Sequence, residues 1–112
     1  MRQALQQAER LLRGYGRNYE ANLVAIALTT FDRDPQAACR AINCDEWWNG
    51  TTAVAAVDLA VAGGFTAQSR TDAQDLRQAL LVIFTTMRAY GELNAAGEVV
   101  VSQFRKWKKS HV

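Results

Sequence analysis

Histidine, cysteine and proline are almost missing from this chain: 112 residues hold one His, two Cys and one Pro. A structural zinc centre takes four Cys or His ligands, and Cys39, Cys44 and His111 cannot supply them. If both cysteines lie on or near one helix, their five-residue spacing carries them to different faces, a poor geometry for a disulfide. Two small, half-buried thiols are expected instead.

Long apolar runs are missing as well. The longest candidates, 21–31 and 78–87, are bounded by charges and fall short of the roughly 18 residues of a membrane-spanning helix, so no membrane partner is expected. The opening residues Met1 to Gln7 carry Arg2, Gln3, Gln6 and Gln7 where a secretory leader would place an apolar run, which makes the cytoplasm the expected location. Also absent are a GxSxG elbow, a GxxxxGK[ST] phosphate loop, a GxGxxG after a strand and an HExxH pair.

What is present is ordinary globular material, 49% hydrophobic and 21% charged. A chain of this length buries roughly two-thirds of its unfolded surface and needs no metal or disulfide to do so. The net charge of +2 is unevenly spread. Four of the 13 basic residues, Arg105, Lys106, Lys108 and Lys109, stand in a tail at 105–112 without an acid. The remaining nine face 11 acids, so the body carries −2. A nucleic-acid-binding domain spreads its cations along a face to meet many phosphates, and this chain does not.

Periodicity predicts an all-α fold, a single bundle-like or irregular domain of five to six helices over 1–112, with no internal repeat or linker. Leu5, Ala8, Leu11, Leu12 and Tyr15 define an amphipathic helix over 3–14, ended by Gly14 and Gly16. A second helix starts at Asn18 and runs to about Phe31; apolar on nearly every side, it is expected at the centre. Asp34-Pro35 supplies a cap and a first-turn proline for a third helix over 35–43.

After the Asn49-Gly50 turn, Thr51 or Thr52 is expected to cap a fourth helix through Val54, Val57, Ala60 and Val61, stopped at Gly63-Gly64. Residues 65–70 read as a loop, too long for a helix-turn-helix connection. Thr71-Asp72-Ala73-Gln74 matches a capping box, and Leu76, Leu80, Ile83, Phe84 and Met87 carry a helix over 72–90 next to the second at the centre. A last helix over 93–109 places Ala96, Val100, Phe104 and Trp107 on one stripe, although Val99-Val100-Val101 is β-prone.

Three places could carry function. Adjacent residues point about 100° apart on a helix, so Trp47 and Trp48 rarely both bury fully in one core: either both pack under neighbouring loops and helices, or one faces outward as an anchor for a protein partner beside Asp45 and Glu46. Arg105, Lys106, Lys108 and Lys109 around Trp107 form a candidate anion site for nucleic acid; alternatively they complement the negative end of the last helix. Asp58, surrounded by apolar residues from Val54 to Val61, is plain surface if it takes the solvent side of its helix; if buried, it is either a structural carboxylate paired with a cation or a general acid with a raised pKa. Asp32, Asp34, Asp45 and Glu46 do not match calcium-loop spacing.

The expectation is therefore a non-enzymatic protein-interaction module, an adaptor, regulator or inhibitor, without cofactor or metal, with the tail secondary to the tryptophans. A nucleic-acid-binding regulator using the tail is the alternative, and a small enzyme using Asp58 or the Asp45 and Glu46 carboxylates is the third. A homodimer is expected from the apolar second helix, which must be covered.

Overall fold

Asp34 begins a helix where a proline follows: its carboxylate accepts from the Ala37 amide at 3.2 Å, and Pro35 gives up only an amide that would lack a partner there. That local signal holds in the computed structural model, which describes residues 1–57, 59 and 66–110. The helices are α1 (Arg2–Gly14), α2 (Asn18–Arg33), α3 (Pro35–Ile42), α4 (Asp45–Trp48), α5 (Ala67–Ala89) and α6 (Ala95–Lys109), with a 3-10 turn at Val54–Ala56. No strand occurs among the described residues. The chain is a single compact all-α unit whose radius of gyration, 13.2 Å, is that of a close-packed domain of this length.

Helix α5 is the axis. It packs against α1, α3 and α6, and its buried Leu76, Leu80, Ile83, Phe84 and Met87 follow the predicted stripe. Leu5, Ala8 and Leu12 of α1 close the same core. The β-prone valine run is helical, and no strand to pair with it occurs among the described residues.

Several expectations are corrected. Helix α2 is not central: it buries Ala21, Val24 and Ala27, while Tyr19 and Ile26 are each 62% exposed, because α1 and α3 cover only its inner side. The fourth predicted helix is a single 3-10 turn without a side-chain cap, after which Val57 is extended; its continuation and Gly63-Gly64 lie outside the described residues. Helix α5 begins at Ala67 rather than 72, so part of the expected loop is helix. Its capping box is Thr66 with Ser69, whose amide and hydroxyl are reciprocally bonded at 3.0 and 2.8 Å. Serine replaces the Glu or Gln that the usual pattern looks for, and Thr71 sits inside the helix bonding the Ala67 carbonyl.

The inward stripe of α6 is Gly97, Val101 and Phe104, one residue out of phase with expectation, which leaves Trp107 37% exposed. Asn94 sets that phase by capping the Gly97 amide at 2.8 Å, and its own amide donates to Asn43 at the end of α3 at 2.9 Å. The α5–α6 turn is thereby tied to α3, with Asn43 also donating to Glu92 at 3.2 Å.

Candidate functional site

Gln74, Arg77, Gln78 and Leu81 follow each other at i, i+3, i+4 and i+7, so they share one face of α5 beside its core stripe. Docking of α6 brings Phe104 and Lys108 against that face, and a groove of about 360 Å³ opens between the two helices. Its floor is apolar, made by the buried Leu81 and Phe104. Its walls are polar: the Lys108 ammonium donates to Gln78 Oε1 at 2.9 Å, and Asp75 stands on the α5 side.

Trp107 packs beside two of the lining residues, Arg77 and Phe104. The Arg77 guanidinium lies 5.0 Å from the centre of its ring, and the Phe104 ring is 6.0 Å away at a tilt. Partial burial lowers the Arg77 pKa from its ordinary value, but guanidinium stays protonated throughout the physiological range. A desolvated cation over an indole face is thus held at the rim.

The four tail cations do not converge. At 100° per residue along α6, Lys108 shares the groove side with Phe104, Arg105 and Lys109 lie on an adjoining flank, and Lys106 is opposite. None of the four is in an ion pair among the described residues.

Of the two readings of the tryptophan pair, the packed one holds and the partner-anchor role is corrected: Trp47 and Trp48 are 2% and 1% exposed. Helix α4 is a single turn lodged against α6 and the 3-10 turn, so neighbouring elements cover side chains that point apart. Trp48 donates its Nε1–H to the Ile42 carbonyl at 3.0 Å and meets Phe84 edge-on at 5.2 Å, with Trp47 at 6.0 Å. Both rings are core. Asp45 and Glu46 are exposed, and Glu46 accepts the Tyr19 hydroxyl at 2.5 Å, which raises the Tyr19 pKa. Asp58 lies outside the described residues. Asp34 is a cap and Asp32 pairs with Arg2 at 3.5 Å. No cluster of His, Cys, Asp and Glu able to hold a metal is found among the described residues.

Sequence reasoning missed Arg77, Gln78 and Leu81, because their spacing resembles the shoulder of a core stripe until α6 is placed beside them. No protein-family model, curated protein or solved structure matches the chain.

Proposed function

We propose that the chain is a non-enzymatic protein-interaction module that receives an acidic segment carrying an apolar anchor in the α5–α6 groove. The observation that carries this reading is the groove itself, with an apolar floor at Leu81 and Phe104 and the Lys108 ammonium on its wall bonded only to a neutral amide among the described residues. An apolar side chain displaces water from the floor, and a carboxylate beside it replaces the Gln78 amide as the lysine's acceptor, a stronger charge-assisted bond. Asp75 repels negative charge on the α5 side, so it directs the acidic part of the occupant toward α6.

The nucleic-acid alternative is less well supported. A base would stack on Trp107, whose ring already has Arg77 over it, and the cations point to three sides instead of tracking one backbone.

The test is a pull-down from the native cell extract followed by titration of the purified partner. Lys108→Glu and Gln78→Glu, which place negative charge in the groove, should each weaken binding about tenfold or more. Lys106→Glu, on the opposite side of α6, should leave it unchanged. Equal losses from all three, with a steep log-linear salt dependence, would replace this reading by nucleic-acid binding.

A further inference from the structure

Along α2, Tyr19, Leu23, Ile26, Thr30 and Arg33 are separated by four, three, four and three residues, the alternation that places side chains on the seam of a two-helix coil. In a core-facing helix this seam would be buried, yet here it lies to one side of the buried Ala21, Val24 and Ala27, with only Leu23 reaching the edge of the core. Tyr19 and Ile26 are each 62% exposed, Leu23 and Thr30 are partly buried and Arg33 is exposed. Single exposed apolar side chains are normal on any protein, but a row at seam spacing over almost four turns marks a contact surface.

From this arrangement we infer that α2 is a homodimer interface, in which it pairs antiparallel with α2 of a second copy about a two-fold axis between Leu23 and Ile26. This surface is separate from the α5–α6 groove and does not depend on the function proposed for it. The two-fold sets Leu23 of each copy on Ile26 of the other and Tyr19 on Thr30 of the other. The large apolar residues thus meet at the centre and the smaller hydroxyl side chain accommodates the phenol ring.

Charge selects the second copy and its direction. Arg33, at the C-terminal end of the seam, has no ion pair among the described residues. At the N-terminal end the Glu46 carboxylate is held at the seam by the Tyr19 hydroxyl and likewise has no ion pair among the described residues. Of the other charges near these ends, Arg17 pairs with Glu20 at 2.8 Å and Asp32 with Arg2, while Asp45 adds to the negative charge beside Glu46. Antiparallel pairing carries Arg33 past the start of the other helix to Glu46, twice by symmetry, whereas parallel pairing sets Arg33 against Arg33. Opposed helix dipoles favour the same direction.

Sedimentation equilibrium of the full chain tests this. The wild type should be a dimer dissociating in the micromolar range. Ile26→Lys should be monomeric at the same concentrations with unchanged helical circular dichroism, since the side chain is exposed in the monomer. Arg33→Glu and Glu46→Arg should each weaken association, and the double variant Arg33→Glu/Glu46→Arg, which restores both pairs with reversed sign, should recover most of it. A monomeric wild type at high micromolar concentration would overturn the proposal. So would an Ile26→Lys dimer of wild-type strength, or a charge-swapped double variant no better than its parents. Should Ile26→Lys lose its helical signal, the surface charge variants decide by themselves.

Discussion

Replacing Gly97 by alanine sets two effects of opposite sign against each other. Gly97 is in the first turn of α6, its amide bonded to the Asn94 cap, with no positive φ that only glycine tolerates. On helix propensity alone, alanine there should stabilise by about 1 kcal/mol. The added methyl, however, would press into Cε1 of Phe84, with Phe84 Cδ1 at 3.0 Å and Trp48 Cδ2 at 3.3 Å. Phe84 is fully buried, Trp48 is 1% exposed, and the two rings are locked edge to face, so neither can swing aside.

Overpacking a filled core costs about 1–3 kcal/mol, and two buried aromatic rings put this site at the upper end. The net expectation is a loss of about 2 kcal/mol, or a melting temperature lower by roughly 8 °C for a domain of this size. Urea unfolding should show a lowered midpoint with an unchanged slope. Phe84→Leu should relieve the clash, so the double variant should lose less than the sum of the two single losses. An alanine variant more stable than wild type by about 1 kcal/mol would refute the close approach of α6 to α5 and α4, and with it the placement of the groove.

Two further outcomes are expected. Leu80→Ala and Phe84→Ala should each cost about 2–5 kcal/mol in chemical denaturation, since both side chains are almost fully buried on the inner face of α5; losses under about 0.5 kcal/mol for both would mean that the helix phase is wrong. In a timed reaction of the native protein with a thiol reagent, Cys44 should label first, because Cys39 is fully buried and burial raises its thiol pKa; equal rates would contradict the packing of α3.

The sequence by itself determined what depends on neighbours in the chain. Asp34-Pro35 starts α3 because capping is completed within four residues, and Leu76 to Met87 align because side chains three and four apart share a helix face in any surroundings. Thr66 and Ser69 were legible on the same principle but are an unfamiliar form of the box. Only the tertiary structure decided what depends on residues far apart in sequence. Trp47 and Trp48 bury together because α6 and the 3-10 turn close over a one-turn helix, and no helical period contains that information. Leu81 and Arg77 become the floor and rim of a groove only when Asn94 fixes the phase of α6, and α2 keeps an apolar outer face because nothing in its own spacing says which side α1 and α3 will cover. Local capping bonds act within about one turn, whereas burial is a property of whatever arrives from elsewhere in the chain.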